Sequence, residues 1–422
     1  MKPYRIVEKL IKGILNGDDA AVSKYINEQH EDLLLNEIIS ILKNNRLEPF
    51  LFSSKVQLES DDFRQWVEDR KSNSVFSVAA SYRIFNKGME LITALTEAKI
   101  DHFALRGPFD AAQLYGDISF REYGDVDIFV RPEDTAKAWD VAVKKGFSLY
   151  HDEMPKGFFR RHHLNWALIH PESKVMCDLH WAVDHPYRSL TIDYAAIFDA
   201  SKPCYYDNSC WKGPSPEHWL ILSALHLRKH HASILTHCLT EDALQNMLAL
   251  GDARYLVDAA TFINANQAEL DWAQLAVTAE KWNAVQPLAA LLFTAKNLLD
   301  LSPEHEISRL LQSWDVQGYL KIQELPSRMP SLKVVEKLAR VSGFNGERLL
   351  ELGDYILPAT YQTEKRGLNV VFKKMLHGFL NSLKLSFAVM DCFISCLGKK
   401  LLLRFSSKKR TNKDVRGNAV YV

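Results

Sequence analysis

Residues 120–131 read FREYGDVDIFVR, and the fold turns on how this stretch is read. Gly124 offers a turn, Asp125 and Asp127 follow two apart, and Ile128, Phe129 and Val130 run on to Arg131-Pro132. Side chains two apart on a strand point to the same side. The stretch is therefore predicted to be a strand with Asp125 and Asp127 on one face and Val126 and Ile128 turned to a core. Two carboxylates side by side repel each other unless a cation lies between them, and a hard, oxygen-seeking ion such as Mg2+ suits that place. Taken alone, Asp-x-Asp after a glycine is more often an exposed turn, because so short a motif matches by chance. Its surroundings decide.

Upstream, HFALRG (102–107) reads as a strand ending at Gly107. Pro108 would open a helix, since its fixed φ suits a first helical position, and Asp110–Tyr115 continue it. Downstream, Glu133–Lys145 reads as a helix between Pro132 and a stop at Gly146. Three further strands are expected at Phe147–His151, His163–His170 and Lys174–Trp181, the last two joined by a turn at Pro171-Glu-Ser. Strand, helix, strand, helix and hairpin in that order make a small mixed unit on one sheet.

Helical spacing surrounds this unit. Ile6, Leu10, Ile11 and Ile14 recur on one face, as do Ile38, Ile39, Ile41 and Leu42. Ser60-Asp-Asp starts a helix over Phe63–Arg70, and a long helix follows from about Phe76 to Ala98. After the sheet unit, helices are expected at 216–231, 251–264, 271–282 and 285–299, continuing to about Leu357. The fold class is α+β. Residues 1–99 are read as an N-terminal helical region, 100–213 as the α/β core, 214–364 as a helical domain, and 365–422 as a basic, apolar tail that ends in a disordered stretch.

The 422 residues carry 52 Lys+Arg and 52 Asp+Glu, so total charge points to no partner and there is no strong nucleic-acid signal. Its distribution is uneven. From Lys365 onward 13 basic residues meet only Asp391 and Asp414, a net +11 that leaves −11 on residues 1–364. Leu376, Phe379, Leu380, Leu383 and Phe387 form a stripe beside Lys373, Lys374 and Lys384. Such a stripe either lies against an anionic membrane or packs on the acidic remainder of a protein. No run approaches the roughly 20 apolar residues of a membrane-spanning helix. The six cysteines form no CxxC pair and are read as reduced thiols, which places the chain in the cytoplasm, with the tail able to hold it at the inner membrane face.

In KVMCDLHW (174–181), Asp178 and His180 alternate with Cys177, Leu179 and Trp181. If this strand lies beside 125–130, Asp178 approaches Asp125 and Asp127. Three carboxylates near a glycine turn are suited to two-metal phosphoryl transfer, and the glycine lets backbone amides come close to phosphates.

This set resembles the DNA polymerase beta-like nucleotidyltransferase superfamily, and most closely its bacterial branch of uncharacterised nucleotidyltransferase-like proteins. The matching residues are Leu105-Arg106-Gly107, Leu114-Tyr115, Arg121, Gly124-Asp125-Val126-Asp127, Arg131-Pro132-Glu133-Asp134 and Asp178-Leu179-His180-Trp181. His226, His230 and His231 on a helix, followed by Arg254–Asp258, extend the likeness, which covers roughly Ser72 to Ile263. The resemblance implies an NTP substrate, Mg2+ in a two-metal site on Asp125, Asp127 and Asp178, and phosphate binding by Arg106, Gly107 and Arg121. His180 would be an accessory residue or a wall of the site. Two positions depart from the wider superfamily: Pro108 stands where a serine follows the glycine, offering neither hydroxyl nor N–H, and Arg106 stands where the branch has lysine. His226 and His230 are four apart, but with no Glu after His226 and no third ligand they make a poor zinc site.

Two functions are open at this point. One is transfer of a nucleotidyl group from an NTP to a hydroxyl or phosphate of an unnamed acceptor. The other is an inactive protein on the same fold that binds a nucleotide or a partner, since fold alone does not fix activity.

Overall fold

The structure, a computed structural model, describes residues 2–18, 20, 23–24, 32–48, 61–150, 164–184, 190–230, 242–302 and 305–314. The tail from Lys365, the helices expected between 315 and Leu357, and Cys238, Cys392 and Cys396 lie outside the described residues. Helices α1 (Lys2–Leu15), α2 (Asp32–Asn44) and α3 (Asp61–Glu97) come first. The sheet unit then follows: β1 (His102–Leu105), α4 (Gly107–Tyr115), β2 (Asp125–Val130), α5 (Thr135–Lys144), β3 (Ser148–Leu149), β4 (Asn165–His170) and β5 (Val175–His180). A short helix α6 (Tyr194–Asp199) leads to a separate hairpin of β6 (Lys202–Tyr206) and β7 (Ser209–Gly213). Helices α7 (Pro216–His230), α8 (Ala243–Leu250), α9 (Arg254–Asn266), α10 (Trp272–Lys281), α11 (Val285–Leu298) and α12 (Glu306–Ser313) complete the described chain.

The fold is α+β, as the pattern of periods implied. The five-stranded sheet has the order β1-β2-β5-β4-β3. All its neighbours are antiparallel except β2 and β5, which run parallel. That parallel pair brings together strands some fifty residues apart in sequence and sets Asp127 opposite Asp178 and Phe129 opposite His180.

Alternation along the strands gives the sheet two different faces. Ala104, Val126, Ile128, Val130, Leu168, Val175, Cys177 and Leu179 point one way and pack with Ile84, Leu91, Ile92 and Leu95 of α3 and Ala138 and Ala142 of α5. Phe103, Leu105 and Phe129 point the other way, into a second core shared with α1, α2 and α7–α12. Asp125, Asp127, Asp178 and His180 lie on this second face, where the helical layer stands over the sheet.

Several details differ from the sequence reading. The helix expected in two pieces over 63–98 is one 37-residue helix, Asp61–Glu97, since no glycine or proline stands between the two pieces to break it. The strand expected at 147–151 pairs over only Ser148–Leu149. The helix after β1 starts at Gly107, with Pro108 in its first turn. The β6–β7 hairpin was not anticipated; its two-residue loop is Asp207-Asn208, with Asp207 at φ +48°.

Candidate active site

The β1–α4 turn is built by an unusual backbone. Arg106 adopts φ +66° and Gly107 φ +54°, the left-handed region that side chains make costly. At Gly107 the reason is visible, because a Cβ there would lie 2.7 Å from the backbone oxygen of Asp125. The glycine lets the turn press against the start of β2. Asp110, on α4, secures it from within: its Oδ1 accepts from the Arg106 backbone N–H at 2.9 Å and from Trp219 Nε1 at 3.1 Å. Burial raises the pKa of Asp110 despite the nearby Arg121 charge.

Arg121 supports the same turn from the side. Its Nε lies 2.9 Å from Asp258 Oδ2 in an ion pair, and its Nη1 donates to Gly107 O at 3.5 Å. Tyr115 donates its hydroxyl to Asp258 Oδ1 at 2.6 Å. Both Arg121 and Asp258 are buried, so each needs the other's charge. The guanidinium expected to hold phosphate is thus committed to Asp258, although Arg121 still lines the cleft.

The cleft has a volume of about 340 Å3. Its sheet wall carries Asp125, Asp127, Asp178 and His180, the β1–α4 turn adds Arg106 and Gly107, and Glu122 lines it from the segment before β2. Arg46, His226, Lys229, Arg254 and Tyr255 face these from the helical layer. Ligand atoms of Asp127, Asp178 and His180 all lie within 4.8 Å of one another. Asp125 lies outside that tight group but shares the cleft; the charge of Asp127 acts on it, and its own charge acts on Asp178.

His180 is 2 % exposed and stacks on Phe129, with centroids 4.5 Å apart. Phe129 stacks in turn on Phe103 at 4.8 Å. Burial lowers the imidazole pKa, so the ring is neutral at pH 7. Its Nε2 lies 2.6 Å from Asp127 Oδ1, a distance that fits a neutral ring donating Nε2–H to a carboxylate.

The carboxylates divide by environment. Burial opposes ionisation of Asp127, yet the His180 hydrogen bond and the charges of Arg106 and Lys229 hold its pKa at about 2. Arg106 Nη1 is 3.8 Å from Asp127 Oδ2. Asp125 rises to about 6, from burial and then the charge of Asp127. Asp178 rises to about 8, from burial and then the charges of Asp127 and Asp125. Burial lowers the pKa of Lys229, and Arg106 adds to that lowering. Three crowded carboxylates, with Asp178 held protonated near pH 7 and Asp125 raised to about 6, form a site that gains from a divalent cation, and carboxylate oxygen is the donor such a cation takes.

Arg46 and Lys229 escaped the sequence reading, because a basic residue on a helix reads as a solvated face. Lys229 follows His226 by three residues on α7, which puts both on one face. His226 does line the cleft, its ring edge-on to Tyr255 at 5.4 Å.

Residues 33–300 match the family described as uncharacterised nucleotidyltransferase. The chain belongs to that family. The match takes in every element that lines the cleft, from Arg46 after α2 to Tyr255 on α9. No curated protein matches the chain. Among the described residues, no helix is long and apolar enough to cross a membrane.

Proposed function

We propose that the chain is a Mg2+-dependent nucleotidyltransferase that moves a nucleotidyl group from an NTP to a hydroxyl or phosphate of its acceptor. The observation that carries this reading is the β2–β5 register, which sets Asp127 beside Asp178 in a cleft that Gly107 also lines. Asp125, Asp127 and Asp178 would hold the metal, which would supply positive charge to offset that of the transferred phosphoryl group. Arg106 and Gly107 receive the phosphates at the β1–α4 turn, and Arg121 with Asp258 keeps that turn in place. His180 orients Asp127 through its Nε2–H and is not itself the base. In its ionised form Asp178 takes the proton of an acceptor hydroxyl, while an acceptor phosphate needs no such transfer. The acceptor oxygen bonds to the α-phosphorus as the bond to the β-phosphate oxygen breaks, and pyrophosphate leaves.

The basic tail would hold the protein at the cytoplasmic face of an anionic membrane or on a protein partner. A second reading, an inactive nucleotide- or partner-binding protein, draws support from Pro108, which brings neither hydroxyl nor N–H to the phosphate turn. Incubation with Mg2+ and each α-labelled NTP, with cell extract as the acceptor source, separates the two. Label transferred by wild type and lost in Asp127→Ala supports the enzyme. Metal-dependent NTP binding with no transfer to any fraction supports the binding protein.

A further inference from the structure

The helical wall of the cleft carries cations that the reading above leaves unused. Arg46, Lys229 and Arg254 all line it, and among the described residues none has a carboxylate within 4.0 Å. Arg254 is fixed by its neighbour, with the guanidinium 4.8 Å over the Tyr255 ring and Nη2 donating to the Tyr255 hydroxyl at 3.0 Å.

Arg46 is the more informative of these. Helix α2 ends with Arg46 N–H bonded to Lys43 O and Leu47 N–H bonded to Leu42 O. That closure puts the residue after the cap in the left-handed region, and Arg46 has φ +54°. Glycine is the residue such a position favours, and an arginine there carries strain. The next residue back is wholly buried: Asn45 donates Nδ2 to Ile41 O and Leu248 O, both at 2.9 Å, and its Oδ1 accepts from Ala253 N–H at 3.0 Å. One amide thus ties the segment that carries Arg46 to the segment that carries Arg254. A strained arginine and a pinned arginine, held together by a buried clamp, face the same cleft.

We propose that Arg46 and Arg254, together with Lys229, form an anion site that takes a phosphate group. The source is either the terminal phosphates of the nucleotide or a phosphate on the acceptor. The inference deepens the proposed function and rests on it for the identity of that source. It also gives the N-terminal helices a part in the chemistry, because Arg46 belongs to them.

The test is calorimetric titration of inorganic phosphate into the full chain in EDTA, for wild type, Arg46→Gly and Arg254→Ala. Each variant should bind phosphate at least tenfold more weakly than wild type. Arg46→Gly should also melt at or above the wild-type temperature, because glycine relieves the backbone; a merely structural arginine would not separate these two readouts. Wild type that fails to bind phosphate, or variants that bind it as wild type does, would overturn the inference. Repeating the titration with Mg2+ and a non-hydrolysable NTP analogue distinguishes the sources. Phosphate excluded by the analogue assigns the site to the nucleotide, and phosphate still bound assigns it to the acceptor. If no analogue binds, the proposed function fails while loss of phosphate binding in the variants still supports the anion site.

Discussion

Replacing Gly107 with alanine puts a methyl group 2.7 Å from the backbone oxygen of Asp125, where nothing flexible can give way. Ordinary carbon–oxygen contact is roughly 3.3 Å or more, so β1 and β2 must part at the site or the turn must rotate. Overpacking of that kind costs about 1–3 kcal/mol. The left-handed backbone adds roughly 1 kcal/mol for any residue with a Cβ. The total is about 2–4 kcal/mol. Gly116, at the other end of the same helix, is the control: it has φ +70°, and a Cβ there meets nothing within 4 Å. Gly116→Ala should therefore cost only the backbone part, about 1 kcal/mol. Urea unfolding followed by tryptophan fluorescence measures both, with nine tryptophans to report. The expected result is a larger loss for Gly107→Ala by about 1–3 kcal/mol. Equal losses in the two variants would refute the close approach of the turn to β2.

Other outcomes follow from the charges. In EDTA, Asp125 and Asp178 have folded pKa values near 6 and near 8, above their unfolded values, so the native state keeps protons the unfolded chain releases. Melting temperature should fall as pH rises from about 4 toward 8, and Asp178→Asn should flatten the upper part of that fall; parallel wild-type and variant curves would contradict it. Asp127 has the opposite sign: its depressed pKa contributes stability above about pH 4 that is lost on acidification toward 2, as an acid titration of Asp127→Asn against wild type would show. Asp258→Ala leaves the buried Arg121 without its counter-charge and should cost about 3–5 kcal/mol in urea unfolding. A loss below 1 kcal/mol would mean that Arg121 finds water or another acceptor.

Much of this site was legible because it lies on strands, where a period of two assigns faces without reference to partners. Asp125 and Asp127 share a side for that reason alone, and so do Asp178 and His180. The parallel pairing of β2 with β5 was not legible, since no local signal links strands fifty residues apart. A slip of one residue would have put Leu179 in the cleft. The ion pair of Arg121 was not legible, because its partner, Asp258, is 137 residues away and arrives on α9. The β6–β7 hairpin did carry a signal, the Asp207-Asn208 pair that a tight turn accepts at positive φ, between the alternating runs 202–206 and 209–213. Arg46 carried none: only the fold shows that the end of α2 reaches the cleft.

The central claim is that Asp125, Asp127 and Asp178 act as one metal-binding, nucleotide-dependent centre. Its most direct measurement is the melting temperature of the full chain titrated with Mg2+, with and without a non-hydrolysable NTP analogue. Binding to the folded state alone raises stability by mass action. Wild type should show a Mg2+-dependent rise that grows with the analogue, abolished by Asp125→Ala or Asp127→Ala and only partly reduced by Asp178→Ala. A wild-type protein indifferent to Mg2+ and to every analogue would contradict the account.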